Sequence, residues 1–170
     1  EISAPSAPTA AAPDHADKGL AMGIKACVSG QLIDMTEVKD EMFSKKMMGD
    51  GVAIEPTGDT VVAPADAEVT MVMVDSNHAV GLRFENGAEL LIHIGIDTVN
   101  LKGQGFECYV KQGDKVKAGQ KLIKFDKQVI ADAGYANTVM MAITNSAEYP
   151  QLKKAEDQKV VATETNVISF

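Results

Sequence analysis

The sequence has no tryptophan, and aromatic residues make up only 5% of its 170 positions. Aliphatic side chains and nine methionines must therefore fill the hydrophobic core. Cysteine is also rare, and Cys27 and Cys108 stand far apart without forming a Cys-x-x-Cys motif. This scarcity favours buried free thiols in a reducing compartment over a disulfide-stabilised fold.

Long apolar runs and excess positive charge are missing too. No run approaches the ~18 apolar residues that a membrane-spanning helix needs, and residues 1–20 lack the continuous apolar segment of a signal peptide. Because 16 Lys and Arg residues face 24 Asp and Glu residues, the net charge is −8. This sign argues against nucleic acid and anionic membranes as partners. An acidic surface instead favours encounter with a basic protein.

The composition divides the chain into a linker and one domain. The first thirteen residues are mostly Ala and Pro, which cannot bury enough surface to offset the entropy lost on ordering. We therefore predict an interdomain linker over residues 1–19 and a single domain over residues 20–170. Since the chain begins with Glu1, we expect it to be a piece of a longer protein.

Within the domain, short β-like segments alternate with turns rich in Gly, Asn and Asp. The clearest segments are 52–54, 69–74, 79–84, 90–94 and 122–125. A helix is expected only over 127–133, with single turns near 38–43 and 97–101. Two similar phrases, 25–33 and 62–70, indicate a duplicated supersecondary unit. The prediction is an all-β fold, an antiparallel β-sandwich or flattened barrel of short strands with minimal helix.

His93 is embedded in an aliphatic run over residues 90–96 that is otherwise broken only by Gly95. On a strand, Leu91 and Gly95 share the face of His93, whereas the even-numbered residues share the other face. Gly95 is then expected to leave open space and bare backbone beside the imidazole. A lone histidine in such a strand is more often a hydrogen-bonded core residue than a reactive one.

A second histidine, His78, precedes the neighbouring β-like segment. If segments 79–84 and 89–94 form an antiparallel hairpin around residues 85–87, positions near 78 and 93 fall opposite each other. The two imidazoles would then lie within reach of each other. Such a pair suits either metal binding or phosphoryl chemistry on one ring assisted by the other.

Several motifs, in the same order along the chain, resemble the glucose-class enzyme IIA domains of the bacterial sugar phosphotransferase system. They are Glu-Leu-Leu-Ile-His-Ile-Gly-Ile-Asp-Thr-Val (89–99), Phe-Ser-Lys-Lys-Met-Met-Gly-Asp-Gly-Val-Ala-Ile-Glu-Pro (43–56), Val-Ala-Pro (62–64), Asn-His-Ala (77–79), Lys-Gly-x-Gly-Phe (102–106), Gly-Asp-Lys-Val-Lys-Ala-Gly (113–119) and Phe-Asp (125–126). The resemblance covers most of the domain. It implies a sandwich of the duplicated hybrid-motif type.

The resemblance implies a phosphotransferase with a phosphohistidine intermediate. His93 would accept the phosphoryl group through Nε2, and His78 would donate a hydrogen bond to that group. Ser76 would orient the His78 ring. Backbone at Gly95 would approach the His93 imidazole and fix its tautomer.

Around this site the resemblance implies a surface for partner proteins. Asp40 and Asp97 would line an acidic rim. An apolar collar would be formed by Met42, Phe43, Met47, Met48, Val74, Leu91 and Val99. For each collar residue taken singly, packing in the core explains its apolar character about as well as contact with a partner does. Arg83 is expected to bring a positive charge near the site.

The implied partners are the histidine phosphocarrier protein HPr as donor and a cysteine of an enzyme IIB domain as acceptor. The Ala/Pro linker favours a IIA domain fused to the IIB and membrane-embedded IIC parts of a permease, and hence a cytoplasmic domain tethered at the inner face of the membrane. Glucose or N-acetylglucosamine is the first sugar expected, although β-glucoside and sucrose permeases use the same domain. No cofactor is expected, and zinc at His78 and His93 would be adventitious.

Three alternatives compete with this interpretation. A biotinyl or lipoyl carrier would explain the turn-rich stretch 110–122, but the Met-Lys-Met that carries the cofactor is missing. A lysostaphin-type zinc hydrolase needs three protein ligands, and His78 and His93 supply two, with Gly95 where a His-x-His motif would continue. A non-catalytic regulatory module would leave His93 merely structural.

Overall fold

The structure is a computed structural model that describes residues 22–170. The predicted linker over 1–19 and the first two residues of the predicted domain therefore lie outside it. Within the described residues the strands are β1 (Gly23–Lys25), β2 (Gly30–Asp34), β3 (Asp50–Pro56), β4 (Thr60–Val62), β5 (Ala67–Val72), β6 (Ala79–Phe84), β7 (Glu89–Ile94), β8 (Phe106–Cys108), β9 (Lys115–Val116), β10 (Lys121–Phe125), β11 (Val139–Ile143), β12 (Lys153–Lys154), β13 (Lys159–Val160) and β14 (Asn166–Ser169). The helices are α1 (Glu41–Ser44) and α2 (Lys127–Asp132), with 3-10 turns at Met35–Glu37, Thr98–Leu101 and Ser146–Glu148.

The strands form three antiparallel sheets, which confirms the predicted all-β sandwich. The large sheet has the order β13-β2-β3-β11-β7-β6-β5-β9, and the small sheets have the orders β1-β14-β12 and β4-β10-β8. In each of the strand pairings that build these sheets the two strands run antiparallel. Each of the two short helices lies in a connection between strands.

The order of strands in the sheets shows an internal duplication. If β1–β3 are matched with β4–β6 and β7–β10 with β11–β14, the order of the large sheet is the same in both directions, and the two small sheets become equivalent. Two reciprocal hydrogen bonds join the equivalent segments at the ends of β1 and β4. The amide of Lys25 donates to the Pro64 carbonyl at 3.1 Å, and the amide of Val62 donates to the Cys27 carbonyl at 2.8 Å. The similar phrases 25–33 and 62–70 are therefore equivalent units, each of which carries the chain from a small sheet into the large one.

Alternation along the central strands creates a hydrophobic core on each side of the large sheet. The larger core lies against the small sheets and includes the even-numbered residues of β7, among them Leu90 and Ile92, which are at most 1% exposed. The smaller core lies on the opposite face, beneath α1 and the 3-10 turn before it. Its buried members are Met35, Val38, Phe43, Ala53, Ala79, Leu91, Met140 and Ala142.

Both short helices begin at an aspartate that caps the first turn. The Asp40 carboxylate accepts the Met42 amide proton at 2.9 Å, and the Asp126 carboxylate accepts that of Gln128 at 2.9 Å. The predicted helix over 127–133 is thus confirmed within one residue of its end. The predicted turns near 38–43 and 97–101 correspond to α1 and to the turn Thr98–Leu101.

Three expectations need correction. Ile96 packs against the smaller core rather than with the other even-numbered residues, because β7 ends at Ile94 and Gly95 is left-handed. Arg83 does not lie near the histidines. It is paired with Glu89 across the hairpin, at the opposite end from His93. Of the two free thiols, Cys27 is buried but Cys108 is only half-buried.

Candidate active site

The two histidines are brought together by the hairpin of β6 and β7. Ala79 faces His93 in the register, and the Ile94 amide donates to the carbonyl of His78 at 2.8 Å. The imidazole centroids are consequently 4.7 Å apart, with the rings nearly perpendicular at 87°. The predicted antiparallel hairpin, with positions near 78 and 93 opposite each other, is confirmed, and the residue directly opposite His93 is Ala79.

The tautomer of His93 follows from its hydrogen bond to Gly95. Nδ1 of His93 lies 2.9 Å from the Gly95 carbonyl oxygen, which is an acceptor without a proton to donate. Nδ1 therefore carries the proton of the neutral ring, and Nε2 keeps a free lone pair. A neutral imidazole with an unprotonated Nε2 is a nucleophile near pH 7.

The backbone at Gly95 is held tightly, which corrects the expected open space beside the imidazole. Gly95 has φ +80°, and a Cβ at this position would overlap Thr98 Cγ2 and lie 2.9 Å from the Ala136 carbonyl oxygen. Its amide donates to the Thr138 carbonyl at 2.7 Å. A glycine is required here because the turn leaves no room for a side chain, and this packing fixes the acceptor of His93.

His78 is held from below by Ser76. The side chain of His78 is only 3% exposed, and its Nδ1 lies 2.8 Å from the Ser76 hydroxyl, which is itself buried. A hydroxyl both donates and accepts. The Ser76 contact therefore allows either neutral tautomer of His78, unlike the Gly95 contact of His93.

Burial and charge keep both imidazoles neutral. Burial and, to a smaller extent, the neighbouring His93 lower the pKa of His78 to about 4. Burial also lowers the pKa of His93, but the Gly95 carbonyl, Asp40 and Asp97 oppose this effect. Asp40 and Asp97 are therefore close enough to His93 to stabilise a positive charge on its ring.

The predicted collar divides into exposed and buried members. Met42, Met47, Val74 and Val99 expose 46%, 64%, 77% and 46% of their surfaces. Met48 is half-buried. Phe43 and Leu91 instead belong to the smaller core, where Phe43 lies with its ring 5.1 Å from that of His93. Both residues are thus largely buried, and Phe43 packs beside the imidazole.

Sequence reasoning missed two residues at the site, Met73 and Thr98. Met73 is 39% exposed beside Val74 and continues the apolar surface. Thr98 donates its hydroxyl proton to the Ile94 carbonyl at 2.5 Å and thereby closes the turn around Gly95. Exposure of Met73 follows from the end of β5 at Val72, which alternation alone does not reveal.

The part of the chain that the structure describes contains no group of three or more His, Cys, Asp or Glu side chains arranged to hold a metal ion. None of the helices in residues 22–170 has the length and apolar character needed to cross a membrane. The site itself brings together the imidazoles of His78 and His93, the Ser76 hydroxyl and the nearby carboxylates of Asp40 and Asp97.

Comparison with known proteins points to one family. The sequence-family model described as phosphoenolpyruvate-dependent sugar phosphotransferase system, EIIA 1, matches residues 22–149. The glucose-specific EIIA component of Halalkalibacterium halodurans is 40% identical over 147 residues, which cover 86% of this chain and 84% of that protein. The glucose-specific EIIBCA component of Corynebacterium glutamicum is 42% identical over 147 residues, 86% of this chain but 22% of that protein. The solved glucose permease IIA from Mycoplasma capricolum superposes with a TM-score of 0.77 at 31% identity, covering 88% of this chain and 96% of that one.

Proposed function

This chain belongs to the EIIA 1 family of the phosphoenolpyruvate-dependent sugar phosphotransferase system, whose members relay a phosphoryl group in sugar uptake, and we propose that it does so through Nε2 of His93. The observation that carries the proposal is the hydrogen bond from Nδ1 of His93 to the Gly95 carbonyl at 2.9 Å. It holds the proton on Nδ1, and it leaves Nε2 as the nucleophile beside His78.

In the first step the Nε2 lone pair attacks phosphorus of a phosphohistidine on the phosphocarrier protein HPr. The N–P bond of the donor breaks, and its electron pair returns to the donor ring. The new N–P bond makes the His93 ring cationic, because the Nδ1 proton stays on its bond to Gly95. Asp40 and Asp97, whose negative charges oppose the lowering of the His93 pKa by burial, stabilise this cation.

In the second step a cysteine thiolate of an enzyme IIB domain attacks the same phosphorus. The N–P bond breaks, its electron pair returns to Nε2, and His93 is neutral again. The cationic ring of the intermediate is a good leaving group for this reason. His78 assists by donating from Nε2 to a phosphoryl oxygen, in the tautomer where the Ser76 hydroxyl donates to its Nδ1.

The partners dock on the exposed collar residues around the histidines. Met42, Met47, Val74 and Val99 offer flexible and aliphatic contacts, and Met73 extends them. An apolar centre with charged groups at its edge suits a complex that must form and dissociate in each turnover. EIIA domains work with IIB domains, and HPr is our proposal for the other partner.

Glucose is the sugar that we propose, because it is the sugar in the names of the first relatives. A mannose-specific EIIBCA component of Corynebacterium glutamicum is 41% identical over 135 residues, so identity in this domain does not by itself separate the sugars. We further propose that the domain functions in a fused permease, as in the EIIBCA relatives, and that it needs no cofactor. Zinc bound between His78 and His93 would be adventitious.

The test is phosphorylation in a defined mixture. The protein is incubated with phosphoenolpyruvate, enzyme I and HPr, and its intact mass is then measured at alkaline pH. We expect the gain of one phosphoryl group that is labile to acid and maps to His93, with no gain in His93→Ala. If enzyme I and HPr are shown to be active on a second IIA protein and this chain still gains nothing, the proposal is wrong.

A further inference from the structure

We propose that Gly103 is a positioning residue for the relay: it leaves room for the Asp75 carbonyl and so holds Ser76 against His78. The inference rests on the proposed function of His78 in phosphoryl transfer. Gly103 lies in the Lys-Gly-x-Gly-Phe motif, 28 positions after Asp75 by their numbers in the sequence, and takes no part in the chemistry itself.

Two backbone segments meet at this glycine. Gly103 has φ +90°, and a Cβ at this position would overlap the Asp75 carbonyl oxygen. The same Cβ would lie 3.4 Å from the Asp75 carbonyl carbon and 4.0 Å from Ser76 Cα. Because the overlapping atom belongs to the backbone, no change of side-chain rotamer relieves the contact.

The segment that carries Gly103 is anchored on its other side. The Phe106 amide donates to the Gly103 carbonyl at 3.1 Å, and the Asp126 amide donates to the Gly105 carbonyl at 2.8 Å. Gly105 lies against the side chain of Val129, 2.9 Å from where its own Cβ would be. A movement of this segment away from Asp75 would therefore break its contacts with Asp126 and Val129, at the start of α2.

The turn that carries Asp75 is the softer of the two. Val74 and Asp75 are exposed, and the turn contains two left-handed residues that are not glycine, Asp75 at φ 76° and Asn77 at φ 53°. Within the turn, the Asn77 amide donates to the Met73 carbonyl at 2.7 Å, and the Ser76 hydroxyl lies 3.5 Å from the same carbonyl oxygen. A Cβ at position 103 is expected to displace this turn.

Displacement of the Asp75 carbonyl moves the next residue, Ser76. Its hydroxyl lies 2.8 Å from Nδ1 of His78, and a lengthening of well under 1 Å is enough to break a hydrogen bond of this kind. Without the hydroxyl, the orientation of the His78 ring is no longer fixed. We expect the rate at which the phosphoryl group passes to IIB to fall about tenfold, since small misplacements of catalytic groups have effects of this order or greater.

The experiment compares Gly103→Ala with Gly113→Ala. Gly113 is also left-handed, at φ +96°, but a Cβ added there would have no heavy atom within 4 Å, so it reports the backbone penalty alone. Single-turnover transfer to IIB should slow about tenfold in Gly103→Ala and stay at the wild-type rate in Gly113→Ala. The side-chain 15N shifts of His78, which report the hydrogen bond at Nδ1, should change from their wild-type values in Gly103→Ala alone. That spectrum requires no partner protein, so it tests the inference even if the relay proposal fails.

A double variant tests whether Gly103 acts through Ser76. If it does, Gly103→Ala combined with Ser76→Ala should transfer no more slowly than Ser76→Ala alone. Multiplicative losses, or identical His78 spectra in Gly103→Ala and Gly113→Ala, would overturn the proposal. If Gly103→Ala does not fold, Asp75→Gly provides the test, because glycine suits the left-handed backbone and loosens the same carbonyl. Wild-type transfer and a wild-type His78 spectrum in Asp75→Gly would then refute it.

Discussion

The imidazole of His78 meets that of His93 edge to face, with the centroids 4.7 Å apart and the rings 87° from parallel. At this separation in a buried site a proton on one ring disfavours a proton on the other, which is one of the two causes that lower the pKa of His78. The same proximity that allows His78 to reach a phosphoryl group on His93 therefore also keeps it neutral, and a neutral ring has one N–H to donate.

The low pKa of His78 predicts a loss of stability in acid. The unfolded imidazole titrates at its ordinary value of 6.5, whereas the folded one titrates at about 4. Between these values the unfolded state binds the additional proton, so the free energy of unfolding decreases as the pH falls from 6.5 to 4, by about 3 kcal/mol for this residue. His78→Gln should lose correspondingly less stability across this window. Urea denaturation of both proteins at pH 7 and pH 4.5 measures the difference, and parallel pH dependences would contradict it.

Gly95→Ala should be strongly destabilising. A left-handed alanine costs about 1–2 kcal/mol, and overlap with Thr98 adds about 1–3 kcal/mol for a side chain forced into a packed interior. Gly134→Ala is the matched control, because Gly134 has φ +84° with nothing within 4 Å of its added Cβ. In chemical denaturation, the free energy of unfolding of Gly95→Ala should be lower than that of Gly134→Ala by the overlap contribution of about 1–3 kcal/mol. Equal stabilities would mean that the turn around Gly95 is looser than the structure shows.

His78 is expected to matter more for the transfer of the phosphoryl group to IIB than for its acceptance from HPr. Nucleophilic attack by His93 requires the lone pair of Nε2, which the bond to Gly95 secures without His78. His78→Ala should therefore still be phosphorylated by HPr but pass the group to IIB at least about 100-fold more slowly, a loss typical of removing one acid–base or hydrogen-bonding group. Rapid-quench measurement of the two half-reactions separates these effects. Equal transfer rates to IIB in the variant and the wild type would exclude the role assigned to His78.

The sequence was sufficient for the strands β3, β5, β6, β7 and β10, for the hairpin and for the histidine pair, because alternation and short turns are local signals. It was misleading where a left-handed residue changes direction. Gly95 ends β7, so Ile96 turns to the smaller core, and the space expected beside His93 is filled by Thr98 from the following turn. Arg83 was misplaced because it is near His78 in sequence, although the length of β6 separates them.

Contacts between distant segments were also beyond the sequence. The motif that contains Gly103 was visible, but its approach to Asp75 depends on how two connections pack after the sheets have formed. Similarly, the resemblance implied a partner surface for Phe43 and Leu91 but left core packing as an equally good account of each. Their burial follows from α1 covering the face of the large sheet that carries His93.

Removal of metal ions should leave the relay intact. Our mechanism uses His93, His78 and Ser76, and the acidic neighbours of His93 stabilise a cationic ring without a bound ion. The protein is dialysed against a chelator and then added to a donor mixture that still contains its own metal ions. The extent to which the protein is phosphorylated should be the same as without dialysis. A loss that zinc restores would show that the ion has a role and would disprove the proposal that it is adventitious.

Val74 offers the sharpest test of the collar, because it is 77% exposed and its replacement cannot disturb the core. Val74→Asn removes apolar contact area without altering charge, so long-range attraction between the partners is preserved. We expect the KM for HPr to rise about tenfold, the loss of about 1.4 kcal/mol of binding free energy that a central interface residue supplies, while kcat changes little. Val161→Asn is the matched control: Val161 is 48% exposed but follows β13 at an edge of the large sheet, outside the collar. Equal KM values for the two variants would show that HPr docks elsewhere, whereas a fall in kcat at unchanged KM would place Val74 in the chemistry rather than in recognition.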